Sequence, residues 1–560
     1  MTRLSRLAPG ILLVAAACGE AQGSVFSDSR SADAGGPTDA SARTDSGDGP
    51  PSFIPIVAPS DDPITCAQAA QYRSYVGCEY WPTVLANNVW SIFDFAVVVA
   101  NAGSEPAMVT VTGPMGTSEV ETIAPNGLAK IYLPWVPALK GPDADTCGEA
   151  APLTSSVVAT ASAYHLVSSV PVTVYQFNAL EYQGEGGPAG KSWASCPGYG
   201  KCTDTSSPSY GQALGCFSFS NDSSLLLPTT ALTGNFRVAG YRGESFTAEG
   251  KTTPIMGGYV AITATADATH VTVSLAPGAD ILPGPGVAAT SGGGVLDLTL
   301  DAGDVAELVT SLGDAYDLSG SVIAADQPVQ VITGAPCDEI PDSAAACDHL
   351  EQSVFPAETL GQHYVVTPPT GPIGKAVGHV VRLYGNFDGT ALSYAPAAPP
   401  GCPMTLDAGQ VADCGVVTTD FEVIGSSPFA VASFMLGGSI VDPAGGYGDP
   451  SQSMFASVEQ YRTKYVFLAP SDYSVSFADL VVPVGATVLL DGQTVTDGVS
   501  AIAGGYGVQR ITLGQGGSGA HVLESSVPVG LQVLGYGLFT SYQYPAGLNL
   551  KEIAPPPPMQ

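Results

Sequence analysis

The sequence is poor in basic residues: only 18 of 560 residues are Lys or Arg, against 51 Asp or Glu, and the formal net charge is −33. A surface of that sign repels phosphate backbones, so nucleic acid is excluded as a partner. Charged residues of both signs make up only 12% of the chain, whereas Gly and Pro number 67 and 46. Amphipathic helices need more charge and fewer turn residues, so this composition argues against a mainly helical protein.

Long apolar runs are also missing after the N-terminal segment, so no membrane helix is predicted there. The N-terminal segment is typical of an export signal, because Arg3 and Arg6 precede an apolar run too short to span a bilayer. Small residues directly before Cys18 resemble the lipobox of bacterial lipoproteins, in which this cysteine is acylated. An ordinary signal peptide cut after an A-x-A site is the alternative. We predict a lipoprotein signal over residues 1–18, with attachment to the bacterial outer membrane or cell surface through the lipid on Cys18 alone.

The two ends of the exported chain have compositions that do not favour a core. Residues 19–63 are rich in Ser, Asp, Gly and Pro, and have too little apolar surface to offset the entropy lost on ordering. They are predicted to form a disordered tether between the membrane and the folded part. Residues 546–560 contain a run of four prolines and are predicted to be a Pro-rich tail.

The C-x-x-C spacing is absent, which argues against a zinc ribbon and a thioredoxin-like redox site. With Cys18 set aside for the lipid, the eleven cysteines leave an even number suited to five disulfides in an oxidising compartment. The connectivity is not proved by the sequence, and pairing of close neighbours is the simplest prediction. The predicted disulfides are Cys66–Cys78, Cys196–Cys202, Cys337–Cys347, Cys402–Cys414 and Cys147–Cys216.

Apolar and polar residues alternate over many short stretches, such as PAMVTVTG from Pro106 and THVTVSLAP from Thr269. This alternation predicts half-buried strands. A phrase also recurs along the chain in four versions, SSVPVTV, ADQPVQV, GSSPFAV and SSVPVGL, and the prolines of the last three lie one hundred residues apart. Self-similarity at a fixed spacing predicts repeated structural units. The sequence therefore predicts an all-β fold of tandem β-sandwich-like repeats stapled by disulfides.

Four β units are predicted from these repeats, and whether they share sheets is left open. Their ranges are 64–220 with a Cys-rich insertion, 221–347, 348–450 and 451–545. The dipeptides Asn126-Gly127, Asp388-Gly389 and Asp491-Gly492 predict tight hairpin turns, because these residues tolerate positive φ. The proline of each repeated phrase is predicted at the first position of a strand, where its missing N–H breaks no ladder bond.

Several stretches resemble the N-terminal IgG Fc-binding domain family, first named in a mammalian mucin-like protein and also found in exported bacterial proteins. The matching phrases are RSYVGCEYWP and FDFAVVVANAG near the start, and PVQVITGAPC, ACDHLEQ, FPAETLG, HYVVTPP and VVRLYGNFDGT between Pro328 and Thr390. The resemblance extends from about Cys66 to about Tyr544. It implies a repetitive β architecture and an extracellular binding or adhesive role, and it carries over no catalytic residues.

The stretch CDEIPDSAAACDHLEQ, from Cys337 to Gln352, is the densest group of chemically active residues. A disulfide between Cys337 and Cys347 makes it a stapled joint between two units, worth about 2–3 kcal/mol in the loop-entropy model. The alternative is a calcium site, since this ion takes six to eight oxygen ligands. A catalytic role is the third reading, and His349 is interpreted as a structural residue. The calcium candidates are Asp338, Glu339, Asp342, Asp348 and Glu351.

Aromatic residues offer a second kind of candidate site. Trp193 lies in the Cys-rich insertion, where it is the best candidate for a ligand-binding aromatic, with packing as the alternative. Tyr80, Trp81, Trp90 and Trp135 are weaker candidates of the same kind. No catalytic or cofactor-binding residue is predicted, and no cofactor other than calcium is considered.

These observations predict a non-enzymatic cell-surface binding or adhesion protein, with an extracellular protein or glycan as its partner. A self-associating structural component of the cell envelope is the alternative, and a carbohydrate-active hydrolase is the third hypothesis because the many carboxylates form pairs in any fold. The ligand and the oligomeric state are not predicted.

Overall fold

The computed structural model describes residues 63–248, 251–342, 344, 346–514 and 519–558. All strand pairs in this part of the chain are antiparallel, and helices are few and short, so the predicted all-β class is confirmed. The helices are α1 (Cys66–Tyr72), α2 (Pro137–Lys140) and α3 (Gly438–Val441). The predicted lipidation site Cys18 and nearly all of the predicted tether lie outside the described residues.

The first sheet is built around one long strand. In chain order the strands are β1 (Gly77–Tyr80), β2 (Phe95–Asn101), β3 (Ala107–Thr112), β4 (Ser118–Ile123), β5 (Gly127–Leu133), β6 (Val157–Ala159), β7 (His165–Asn178) and β8 (Asp222–Leu225). The sheet has the order β4-β3-β7-β2-β5, with β1 and β8 also paired to β7. Strand β6 does not pair within this sheet and belongs to the next one.

The following part of the chain forms two sheets and a hairpin. Its strands are β9 (Asn235–Arg237), β10 (Glu244–Ala248), β11 (Lys251–Met256), β12 (Tyr259–Ala264), β13 (Thr269–Ser274), β14 (Val295–Leu300), β15 (Val305–Val309), β16 (Val322–Ala325), β17 (Val329–Asp338) and β18 (Asp348–Ser353). One sheet has the order β18-β17-β12-β15-β6, the other β14-β13-β16-β9, and β10 and β11 pair only with each other.

Two four-stranded sheets follow. Its strands are β19 (His363–Val366), β20 (His379–Gly385), β21 (Thr390–Ala395), β22 (Thr405–Leu406), β23 (Val411–Val417), β24 (Phe421–Gly425), β25 (Phe429–Met435) and β26 (Gln452–Met454). The orders are β19-β24-β21-β22 and β23-β20-β25-β26. Apolar side chains of the two sheets share one core, which includes Val366, Leu383, Val423 and Val431, so this part is a sandwich.

The last sheet has eight strands and is again centred on one long strand. Its strands are β27 (Arg462–Ala469), β28 (Val475–Pro483), β29 (Val488–Leu490), β30 (Gln493–Thr494), β31 (Val499–Ala501), β32 (Tyr506–Gly514), β33 (Gly519–Gly537) and β34 (Thr540–Pro545). The order is β30-β29-β33-β28-β32-β31, with β27 and β34 also paired to β33.

Burial separates two kinds of strand. Strand β14 alternates between exposed and buried residues, as the period-two pattern predicts. Strand β12 is buried throughout, because Val260 and Ile262 pack into the core of their own sandwich while Tyr259 and Ala261 pack against the first sheet. A strand covered on both faces has a continuous apolar sequence, so alternation alone does not reveal it.

The repeated proline phrase has a structural explanation in three buried tyrosine hydroxyls. Each hydroxyl donates a hydrogen bond to the carbonyl of the residue that follows the proline of a repeated phrase. The donor–acceptor pairs are Tyr80 with Val172 at 2.7 Å, Tyr364 with Phe429 at 2.6 Å and Tyr465 with Val529 at 2.5 Å. Phe236 occupies the corresponding position in the second unit, where the Val329 amide donates to the Thr233 carbonyl at 3.1 Å, as the Phe429 amide does to the Gly361 carbonyl in the third unit. The lead-in strand of each unit is therefore fastened to its closing strand in a similar way.

Two of the four prolines lie one position before a strand rather than at its predicted first position, and the other two lie inside strands. Strands β17 and β25 begin directly after Pro328 and Pro428. Pro171 and Pro528 instead lie inside the long strands β7 and β33. There each strand changes partner, from β3 to β2 in one case and from β27 to β28 in the other, and at that point no ladder bond to the proline nitrogen is needed.

Four short strands, one following each repeated phrase, meet in the interior. We call β8, β18, β26 and β34 the central strands. Asp222 on β8 accepts hydrogen bonds from the Glu351 amide on β18 at 3.1 Å and from the Gln452 amide on β26 at 2.9 Å. Gln543 on β34 donates to the Ser451 carbonyl beside β26 at 2.8 Å. Polar side chains therefore join segments far apart in the sequence.

The borders of the sheets differ from those of the predicted units. Strand β6 lies in the first predicted range but pairs with β15 of the second, and β18 follows the predicted border at residue 347 but pairs with β17 before it. In the predicted tail, Leu548 and Leu550 are buried in the central core. The division into four units stays a prediction about the repeats, while the described sheets share strands across it.

Two predicted disulfides are wrong. The bonds in the Cys-rich insertion are Cys147–Cys202 and Cys196–Cys216, whereas Cys66–Cys78, Cys337–Cys347 and Cys402–Cys414 are present as predicted. The amide of Gly215 donates to the carbonyl of Gly198 at 2.9 Å, which brings Cys216 beside Cys196. Folding of the insertion back on itself thus outweighs the short sequence separation between Cys196 and Cys202.

Candidate functional site

A cleft of about 740 Å³ opens beside the Cys337–Cys347 loop. This volume lies within the usual range for ligand pockets. The walls come from the hairpin β10–β11, the disulfide loop and the end of strand β23, which are distant in sequence. The residues that line it include Tyr241, Arg242, Ser245, Phe246, Asp314, Glu339, Pro341, Asp342, Ala344, Ala346, Val380, Asp413, Gly415 and Val416.

Two large apolar side chains are exposed at the cleft. Phe246 on β10 has 52% of its surface exposed, and Val416 on β23 has 49%. Loop residues Pro341 and Ala346 add further apolar surface. Exposed aromatic and aliphatic groups beside charged groups are common features of protein-binding sites.

Arg242 is the main positive group of the cleft. Its guanidinium pairs with the Asp342 carboxylate and lies 3.9 Å from Asp413. The Tyr241 ring lies between two guanidinium groups, 5.0 Å from that of Arg242 and 4.6 Å from that of Arg382. This stacking holds Arg242 in place by cation–π attraction.

Acidic groups outnumber this cation. Asp314, Glu339, Asp342 and Asp413 all line the cleft. Burial first, and then the neighbouring carboxylates Glu244 and Asp342, raise the pKa of Glu339 to about 7. The site therefore favours bound protons or other cations near Glu339.

A pair of carboxyl groups lies beneath the cleft. Burial raises the pKa of Asp338 well above its ordinary value, and a hydrogen bond to Glu244 raises it further. The pKa of Glu244 is raised by burial as well, despite the opposing hydrogen bonds from Asp338 and from the Glu339 amide. These shifts favour a protonated Asp338 that donates its hydrogen bond to Glu244.

The five predicted calcium candidates do not converge on one point. Glu339 and Asp342 line the cleft, and Asp338 lies beneath it, whereas Asp348 and Glu351 are on the central strand β18 and fully buried. Among the described residues, no three His, Cys, Asp or Glu side chains are grouped so that they would hold a metal ion. The calcium hypothesis has no direct test in this structure and is left as a prediction.

The acids on the interior side are held by amides rather than by cations. Asp348 accepts hydrogen bonds from the backbone amides of Asn221 at 2.5 Å and of His349 at 2.7 Å. The Asn178 side-chain amide donates to Glu351, and burial raises the pKa of Glu351 to about 8. Burial lowers the pKa of His349 to about 3, so this histidine is neutral.

The aromatic candidates are mostly part of the interior. Tyr80, Trp81 and Trp90 are buried. Trp193 is half-buried, with its ring 5.0 Å from that of Phe93 and the Lys191 ammonium 4.6 Å from its centre. The structure places Trp193 in a packed loop, and its binding role stays a prediction.

The comparison with protein families is decisive for the identity of this region. The model of the family described as IgGFc binding protein matches residues 222–535, which is more than half of the chain and includes the whole cleft. The chain belongs to the IgGFc-binding family. The resemblance proposed from the sequence is thereby confirmed at the level of the family.

One curated relative and two solved structures add less. The IgGFc-binding protein of Homo sapiens is 38% identical over 74 residues, which are 13% of this chain and 1% of that protein. An anti-sigma factor domain-containing protein from Clostridium clariflavum covers 56% of this chain and 81% of its own at 12% identity, with a TM-score of 0.10. A tetra-tandem repeat from the extending region of a large adhesion protein covers 84% and 98% at 12% identity, with a TM-score of 0.09. Similarity at these TM-scores supports no conclusion about this chain.

The setting of the IgGFc-binding domain is extracellular. Five disulfides join cysteines within the described part of the chain, and bonds of this kind persist in oxidising compartments. Within the described residues, no helix combines the length and the apolarity needed to cross a bilayer.

Sequence reasoning found one side of the cleft and missed the other. Glu339 and Asp342 stood out because of the neighbouring cysteines. Arg242, Phe246 and Asp413 carry no local signal, since only the folding of strands β10 and β23 toward the loop brings them there.

Proposed function

We propose that this chain is a non-enzymatic binding protein of the cell surface, anchored by lipid at Cys18, whose IgGFc-binding domain recognises an extracellular partner at the cleft. The observation that carries the proposal is the position of the cleft inside the matched region. Exposed Phe246 and Val416 lie there beside acidic groups that outnumber the basic one. Strands and disulfides hold the walls, so little ordering entropy is lost on binding. The partner is proposed to be a protein or a glycan of a neighbouring surface.

The test is a panel of immobilised partners. The full chain, oxidised and in detergent, is applied to the Fc fragment of IgG, other cell-surface proteins, and neutral and acidic glycans, with and without calcium. Saturable binding to one class without turnover of that partner is the expected result. A partner that is chemically altered on contact, or the absence of binding to every class, would contradict the proposal. Loss of binding on calcium removal would revive the calcium hypothesis for Asp342 and its neighbours.

Self-association is a second candidate function, which one strand favours. Strand β4 ends the path of the first sheet, and five of its six residues are exposed. An exposed edge strand is able to pair with a strand of another copy. Sedimentation at increasing concentration tests this candidate, and a mass that stays monomeric over the range would exclude it.

A further inference from the structure

The cleft presents two carboxylates without a cationic partner. Arg242 is engaged by Asp342 and Asp413, and Arg382 by Asp317 and Asp413. Asp314 accepts a hydrogen bond from the Ser245 hydroxyl at 2.9 Å, and among the described side chains neither arginine pairs with Asp314 or Glu339. The unbalanced charge at the cleft is therefore negative.

The apolar groups lie in the same cleft as these carboxylates. Phe246 belongs to the hairpin that also carries Ser245, the donor to Asp314, and Val416 follows Asp413 on strand β23. A ligand that covers both features needs positive charge and an apolar side chain close together. Electrostatic attraction of this kind increases the rate of association and selects against acidic partners.

We propose that the cleft takes a basic and apolar segment of an extracellular protein, in which an arginine or lysine pairs with Glu339 and Asp314 and a neighbouring aromatic or aliphatic side chain covers Phe246 and Val416. This inference rests on the binding function proposed above and names the chemistry of its partner. An acidic glycan is disfavoured by the carboxylates. A second copy of the chain is disfavoured as well, because its net charge of −33 repels an acidic cleft.

The test uses a defined peptide in place of the unidentified partner. A fluorescent peptide of alternating arginine and phenylalanine is titrated with the full chain, beside one peptide with glutamate replacing arginine and one with serine replacing phenylalanine. Saturable binding is expected for the first peptide only, and the affinity falls as the salt concentration rises. Binding of the glutamate peptide with equal affinity would overturn the proposal.

Variants locate the peptide on the cleft. Glu339→Gln and Asp314→Asn are each expected to weaken binding about two- to fivefold, the range for a partly exposed ion pair. Glu121→Gln on exposed strand β4 removes the same charge elsewhere and is the matched control. Phe246→Ser is compared in the same way with Met108→Ser, since Met108 is exposed to 55%. Equal effects of cleft and control variants would overturn the proposal.

Failure of this inference is separable from failure of the binding function. If a panel partner binds but the arginine–phenylalanine peptide does not displace it, the function stands and the proposed chemistry is wrong. If a neutral oligosaccharide binds the cleft, and Phe246→Ser abolishes this binding but Glu339→Gln does not, the proposed basic chemistry of the partner is wrong. Asp314 lies on an exposed loop, so the effect of Asp314→Asn on peptide binding is interpretable even where Glu339→Gln fails to fold.

Discussion

The two ends of one acid-rich stretch, residues 337–352, behave differently. At the start, Glu339 and Asp342 line the cleft, where Arg242 neutralises Asp342. At the end, Asp348 and Glu351 lie in the interior and are held by amide groups. Residues of the same chemical type thus serve a solvated surface in one place and a packed junction in the other.

The difference between these acids follows their burial: Asp342 is half exposed, whereas Glu351 is fully buried and burial raises its pKa to about 8. At the cleft, Arg242 donates a charge-assisted hydrogen bond to Asp342. Neutral amides offset the effect of burial on the pKa of Glu351 only in part. The pKa stays at about 8, so the group retains its proton up to about that pH. Four experiments test this contrast, from the largest expected effect to the smallest.

Asp222→Ala is expected to have the largest effect, because it removes the acceptor that joins three central strands. The amides of Glu351 and Gln452 and the Ser451 hydroxyl would lose their partner in a dry interior. The expected loss of unfolding free energy is about 3–5 kcal/mol, measured by urea denaturation. Asp314→Ala at the cleft is the control and should change stability by about 0.5 kcal/mol or less. Similar losses for both variants would remove the distinction between the two regions.

Removal of the Cys337–Cys347 disulfide tests whether this bond supports both the stability of the interior and the binding of a ligand at the cleft. The double variant Cys337→Ser, Cys347→Ser is expected to lose about 2–3 kcal/mol of unfolding free energy, since the unfolded loop gains conformational freedom. The arginine–phenylalanine peptide should also bind more weakly, because Glu339, a proposed partner of its arginine, lies within the released loop. Unchanged peptide binding would show that the cleft does not depend on the staple.

The pH dependence of stability separates interior from cleft acids. With its pKa raised to about 8, Glu351 holds a proton in the folded chain that the unfolded chain loses near its ordinary pKa of about 4.3. Its contribution is complete below about pH 4 and disappears as the pH rises to about 8. Glu351→Gln should therefore reduce the stability difference between pH 6.5 and pH 9 by about 2 kcal/mol, since about 1.5 pH units of that range lie below the folded pKa. Glu121→Gln, exposed on β4, should leave this difference unchanged, and an equal change in both variants would contradict the assignment.

Arg242→Ala should have the smallest effect on stability. The side chain is partly exposed, and ion pairs of this kind contribute about 1 kcal/mol or less. Thermal unfolding measures the change. The arginine–phenylalanine peptide is expected to bind more tightly to this variant, because Asp342 and Asp413 lose their internal cation. Weaker peptide binding would indicate that Arg242 itself contacts the ligand.

Local features of the fold were predictable from the sequence. Asn126 and Asp491 have φ values of 55° and 51°, as their turn dipeptides indicate. Strands such as β14 follow the period-two pattern because one face meets solvent. Three disulfides join cysteines that are near neighbours in the chain, so sequence distance was a sufficient guide for them.

The remaining features depend on contacts between distant segments. Cys147 pairs with Cys202 because the insertion folds against the loop that carries Cys147, which no spacing rule predicts. Much of the cleft wall comes from residues that no local sequence pattern marks. Arg242, for example, becomes part of the site only because the fold places it beside Asp342. Nor does alternation distinguish a strand covered on both faces, such as β12, from a buried helical segment.

The sequence by itself determined the all-β class, the supply of ten cysteines for five disulfides, the repeated phrase and the excess of negative charge, because these are properties of composition and short-range pattern. The tertiary structure decided which cysteines of the insertion meet, which acids of residues 337–352 face solvent, and how the central strands are joined. The physical reason is that burial and hydrogen bonding are set by neighbours in space. Asp222 and Ser451 are 2.7 Å apart, yet 229 positions separate them along the chain.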